Sequence, residues 1–283
     1  MLVIRTVVEA LDERYARLEC ARDAGTLRWA PAPHAAWLTA ALAAALAVAA
    51  ALAASGPGPA PARFSAFIAA LVALGMVFTS SVTAARARWW CGKHGDGGGA
   101  FLRAGAGGTA AALALLYASG RGVPGLVTQR FSNGALLAAG FFAGILFPFA
   151  ARKFPALQES IRGGAPLPRG AVVKMLLLGA ALIAHAEWAA ASGYRAAAGV
   201  ALLTTAAAAL AAITFAVRVT HYLHLHHWAA GLLFVPVAAS SFDVVTLVLS
   251  GFSLAQFAEG AARWSCAPLW HSRERAAAAA NSW

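Results

Sequence analysis

The sequence predicts an all-α fold: a polytopic transmembrane helical bundle of about eight spans. Three observations carry this. Of 283 residues, 60% are hydrophobic and only 12% charged, whereas a soluble domain is about 45–50% apolar and about 25% charged. The apolar residues form runs close to the ~20 residues that a membrane helix needs. The 22 Lys+Arg, against 11 Asp+Glu, fall mostly in the short segments between those runs. This composition excludes intrinsic disorder, a secreted disulfide scaffold and an ordinary soluble enzyme. The three cysteines, Cys20, Cys91 and Cys266, are odd in number and far apart, so no disulfide framework is legible. A nucleic-acid binder would gather its basic excess on one soluble face. Here topology explains the excess, and no nucleic-acid partner is expected.

Residues 1–33 come first. Glu9, Asp12, Glu13, Glu19 and Asp23 interrupt this segment, so neither a secretory signal nor a transit peptide fits. Ile4, Val7, Val8, Leu11, Tyr15 and Leu18 recur at helical spacing. An amphipathic cytosolic helix follows from this, lying either on the membrane surface or on the bundle itself.

The membrane domain is placed at 34–262. Its first span is 35–54, after Ala30-Pro31-Ala32-Pro33 and beside Trp29 and Trp37, which suit an interface. Gly56-Pro57-Gly58-Pro59 breaks the chain. The following spans are 64–85, ended by Arg86 and Arg88, then 100–119, 133–150, 171–191 and 196–217. The last apolar stretch, 228–262, reads as one span or as a hairpin. One span would bury Asp243 in hydrocarbon at a cost of about 2.5–3.5 kcal/mol. A hairpin of 221–240 and 244–262 instead puts Ser240-Ser241-Phe242-Asp243 at a turn. That choice makes a His-rich hairpin of 218–264, followed by a cytosolic tail, 263–283. With it, sixteen basic residues lie on one side and four on the other. The positive-inside rule then places both termini in the cytosol or its equivalent, with the organelle open. Small residues prepare helix contacts, notably Gly140 and Gly144 four apart.

Chemistry concentrates in His221-Tyr-Leu-His224-Leu-His226-His227-Trp228. On a helix His221, His224 and His227 stand at i, i+3 and i+6, one slowly drifting face, while His226 points elsewhere. Imidazoles within two turns suit Zn, Fe or Cu if other elements complete the sphere. The apolar stretch after Trp228 is short, so the histidines are drawn toward the interface, where imidazoles need partners. Glu259 stands one turn before the end of the returning helix, at similar depth, as metal ligand or general base. Two readings stay open: a metal or proton-handling site, or an interfacial basic segment beside Trp228. Cys91, His94, Asp96, Cys266 and His271 fall on the same side, whereas His185 and Glu187 belong to the other end of the fifth span. Glu259 also stands four residues before Arg263, the spacing of a simple ion pair.

The residues His224, His226, His227, Pro236, Gly251, Gly260, Arg263 and Trp264 carry a resemblance. The segment His224–Trp264 is similar to the C-terminal membrane region of fungal and protist multi-pass proteins, many of which carry an LCCL domain. No LCCL domain is visible here. The resemblance implies the paired-helix unit and no reaction. Desaturase-type boxes and the terminal HxxxH of ceramidase-type hydrolases are absent. Three function classes follow. One is a metal-dependent membrane enzyme acting on a lipid ester or amide. Another is a proton- or metal-ion-coupled transporter or channel, and the third is a structural membrane subunit.

Overall fold

The computed structural model describes residues 32–82, 97–118, 122–151, 196–223, 227–238, 244–264 and 269–273. The helices are α1 (Ala32–Ser55), α2 (Ala60–Val82), α3 (Gly97–Ala118), α4 (Gly122–Gln129), α5 (Phe131–Ala151), α6 (Ala196–Val217), α7 (His227–Ala238) and α8 (Val244–Trp264). Two three-residue strands, β1 (His221–Leu223) and β2 (Trp270–Ser272), pair antiparallel. Among the described residues four helices are long and apolar enough to cross a membrane: α1, α2, α5 and α8. A fifth span results if α3 and α4, bent by 96°, count as one.

Local chemistry sets these boundaries. Pro33 and Pro61 occupy first turns, where a missing N–H costs nothing. Between α1 and α2 the Gly56 N–H donates to the Leu52 carbonyl at 2.8 Å, and Gly58 takes a φ of 97°. That left-handed backbone suits glycine alone among common residues. Arg63 closes the turn by donating from Nη1 to the Ala54 carbonyl. At the start of α5, Asn133 donates from Nδ2 to the Leu126 carbonyl at 2.8 Å, fastening α4 to it.

α8 is the hub, packed on α2, α3, α5 and α7. Leu254, Phe257, Ala258 and Ala261 are fully buried. Lipid tails give helices no apolar drive to associate, so close backbone approach must supply the attraction. α5 and α8 achieve it with glycine on both sides. Gly140 lies against the Val248 backbone, and Gly251 against the backbone of Leu137 and Phe141. One turn on, a Cβ at Gly144 would stand 2.6 Å from the Ala255 Cβ and 2.9 Å from the Phe252 carbonyl oxygen. The pairings advance together along both chains, so α5 and α8 run parallel. On the opposite flank Gly231 of α7 meets Ser253 and Phe257. It lies well before the end of α7, and its partners well after the start of α8, so this pair is antiparallel. α7 and α8 therefore form the expected hairpin, with residues 239–243 outside the described ones.

The β1–β2 ribbon pairs His221 with Ser272, Tyr222 with His271 and Leu223 with Trp270. It ties the approach to α7 to the chain beyond α8, which sets both at one end of the bundle. We call this the ribbon end. α2 and α5 also finish there, since α1 and α2 form a tight hairpin and Gly134 at the start of α5 touches Ala50 near the end of α1.

The structure alters what the sequence predicts for the seventh helix. The seventh helix does not begin at 221: α6 stops at Val217, 218–220 turn, and His221–Leu223 is a strand. His221 therefore shares no helix face with His227. The reason is tertiary, because a three-residue strand exists only through its partner, and that partner lies about 50 residues away in the tail. The all-helical class stands, with this short ribbon beside it. The eighth span stands as a helix, but α7, with 12 residues, measures about 18 Å against a hydrocarbon core of ~30 Å. The amphipathic segment 1–28 and the span 171–191 lie outside the described residues.

Replacing Gly140 by Val should destabilise the bundle by about 1–3 kcal/mol, the usual cost of overpacking. Gly107, with nothing within 4 Å of a would-be Cβ, should accept Ala with a change within about 0.5 kcal/mol. Thermal unfolding of the two detergent-purified variants checks the contrast.

Candidate functional site

α5 carries Pro148 inside its last two turns. Proline has no N–H, so the carbonyl four residues back, Gly144, loses its helical donor. In hydrocarbon such a carbonyl cannot turn to water. Gln256 of α8 supplies the missing donor: its Nε2 donates to the Gly144 carbonyl at 2.8 Å. The absent side chain of Gly144 is what lets α8 come near enough. Phe147 and Phe252 close the same junction, ring centroids 5.5 Å apart in an edge contact.

Glu259 follows Gln256 by three residues and is fully buried. Its helical phase decides its neighbours. Val248, Phe252 and Ala255 form the α8 stripe against α5, and Glu259, four residues after Ala255, continues it. The stripe facing α7 runs through Ser253 and Phe257. Glu259 is turned about 200° from Phe257, at about 100° per residue. Counting along the antiparallel pair brings His227 and Glu259 to one level, but Glu259 stands on the α5 side of α8. The expected pairing of Glu259 with His224, His226 and His227 falls on side chains outside the described residues.

Thr79 of α2 reaches the same level. It lies one turn beyond Gly75, where a Cβ would stand 2.6 Å from the Phe141 ring and 3.0 Å from Ile145. Thr79 is fully buried. The next residue, Ser80, buries its Oγ, and Trp228 of α7 its Nε1, each without a hydrogen-bond partner among the described residues. Polar groups thus gather near the ribbon end, on three helices. The rest of the described core is apolar except for Thr246, Ser250 and Ser253, along the first half of α8.

The histidines are placed unequally. His221, in β1, is 4% exposed, and its Nδ1 lies 2.9 Å from the Thr220 hydroxyl. His227 is the first residue of α7. His224 and His226 lie outside the described residues, as do Cys91, His94, Asp96, His185, Glu187 and Cys266. No group of three or more His, Cys, Asp or Glu fit to hold a metal occurs among the described residues.

Two features escaped sequence reasoning. Pro148 in an apolar run signalled an orphaned Gly144 carbonyl, and so a donor on a neighbouring helix. Gln256 was the available amide. The ribbon gave no local signal. Known protein families, curated proteins and solved structures contain no match to this chain.

Changing Gln256 to Leu should cost about 1 kcal/mol, in the range measured for hydrogen bonds between membrane helices. In a Pro148→Ala background the restored N–H serves Gly144, and the same change should cost close to nothing. A double-mutant cycle on unfolding free energies reads the coupling.

Proposed function

We propose that this chain is an eight-span integral membrane protein that moves a proton or a metal ion, with Glu259 as the carrier carboxyl. The observation that carries the reading is the complete burial of Glu259 in the hub helix, beside a helix that carries Pro148 in its interior. An ionisable group inside a bundle is costly and marks ion or proton pathways. Backbone oxygens released from a helix beside such groups can serve a moving ion, and Pro148 releases that of Gly144, held by Gln256. Thr79 at the same level adds a hydroxyl. The parallel run of α5 and α8 supports the span count, because helices crossing in one sense need an odd number of crossings between them. The span expected at 171–191, taken with α6 and α7, brings that number to three. The basic loops then orient the ribbon end, and both termini, toward the cytosol.

The test reconstitutes the full chain in liposomes with an internal pH dye under an imposed potential, with and without external Zn²⁺. Wild type should carry proton or metal-linked flux, and Glu259→Gln should lower it at least about tenfold, as expected for loss of a proton-handling group. Flux absent in wild type, or unaltered by Glu259→Gln, overturns the reading.

A second reading rests on His221, buried in the ribbon at the end of the bundle where His227 opens α7. There His221, His224, His226 and His227 hold Zn, Fe or Cu, and the metal activates water against a lipid ester or amide. Glu259 then serves as ligand or base only if α8 turns toward α7. Elemental analysis should find about one metal ion per chain, lost in His224→Ala with His227→Ala. Metal that survives both changes removes these residues as ligands.

A further inference from the structure

The ribbon end holds two arginines that neither reading uses. Arg218 follows the last turn of α6 and donates from Nη1 to the Phe215 carbonyl at 3.3 Å. Its guanidinium carbon stands 3.7 Å from the centroid of the Phe215 ring. Arg273 follows β2 and reaches the same spot. Its Nε donates to the Arg218 carbonyl at 3.1 Å, and its backbone N–H to the Thr220 carbonyl at 2.9 Å. Both side chains are exposed. Neither has a carboxylate partner among the described residues, and each guanidinium spends one of its donors on backbone.

Two like charges held on neighbouring carbonyls, those of Phe215 and Arg218, repel each other. Their remaining N–H groups form planar forks suited to phosphate. The surroundings are apolar: Phe215 is 63% and Val219 83% exposed. Trp270 is half-buried and donates from Nε1 to the Thr214 hydroxyl at 3.0 Å, with the amphipathic character of an interfacial anchor. A water-facing protein surface has no use for that rim, whereas the boundary between headgroups and acyl chains does.

We infer that Arg218 and Arg273 form a headgroup site for an anionic phospholipid of the leaflet at the ribbon end. The phosphate bridges the two guanidinium groups, and Phe215 and Val219 meet the acyl chains. The site is independent of Glu259 and of any metal.

Native mass spectrometry of the detergent-purified full chain, titrated with phosphatidylglycerol, phosphatidylcholine and inorganic phosphate, tests it. Phosphatidylglycerol should bind about 30-fold more tightly than phosphatidylcholine, from about fivefold for each basic residue near an anionic headgroup. Arg218→Gln with Arg273→Gln should abolish the preference. Arg218→Lys with Arg273→Lys, which keeps the charges and loses the forks, should fall between. If the Gln pair does not yield folded protein, wild type decides through salt, since an exposed ionic contact must weaken steeply as ionic strength rises. Equal retention of both lipids, a preference untouched by the Gln pair or by salt, or inorganic phosphate binding as tightly as phosphatidylglycerol would each overturn the inference.

Discussion

The close contact between α5 and α8 is the constraint on which the remaining structure rests. Apolar side chains gain nothing by leaving lipid for protein, so a bundle coheres where backbones approach and dispersion contacts multiply. Gly140, Gly144 and Gly251 remove side chains from both partners at the same place. α8 can then be enclosed, with Phe257 filling the space left by Gly108 of α3 and Gly231 of α7. A helix enclosed on so many sides keeps polar groups away from lipid. Its serines, Thr246, Gln256 and Glu259 can therefore exist where an exposed position would reject them.

Proline in α5 turns this packing into chemistry. Pro148 frees a carbonyl, Gly144 provides access to it, and Gln256 answers it. The three residues act as one unit across two helices, and Glu259 follows on the same stripe. The buried carboxyl thus continues the stripe that meets the proline-bearing end of α5. A buried acid one turn from a proline-freed carbonyl distinguishes this end of the bundle from the opposite one, where the Gly-Pro-Gly-Pro turn is closed by an arginine.

Much of the architecture was legible because membrane helices advertise themselves. The break at Gly56–Pro59 separated α1 from α2, although α2 begins at Ala60 rather than 64, since Pro61 starts a helix before the apolar run does. The cost of burying Asp243 pointed to a hairpin, and α7 and α8 are paired as that cost requires. Gly140 and Gly144 were readable as packing residues. What stayed hidden depended on neighbours distant in sequence. His221 carries no mark of strand, since only Ser272 makes it one. Glu259 shows its depth by its distance from the helix end, but its direction depends on which stripe of α8 meets α5. Single-helix periodicity cannot assign a stripe to a neighbour. Gln256, three residues from Glu259 and on the same flank, therefore went unremarked.

The two-stranded ribbon has a mechanical meaning. It joins the segment leading into α7 to the segment leaving α8, so the two helices and the ribbon make a ring fastened at both ends. Such a ring resists sliding of one helix past the other, because any shift of register would have to shear the strand pairing. Tilting of the whole ring against α5 meets no such obstacle. Motion at the Gly144–Gln256 junction is therefore geared to the carboxy-terminal tail, and whatever grips that tail also holds the hub.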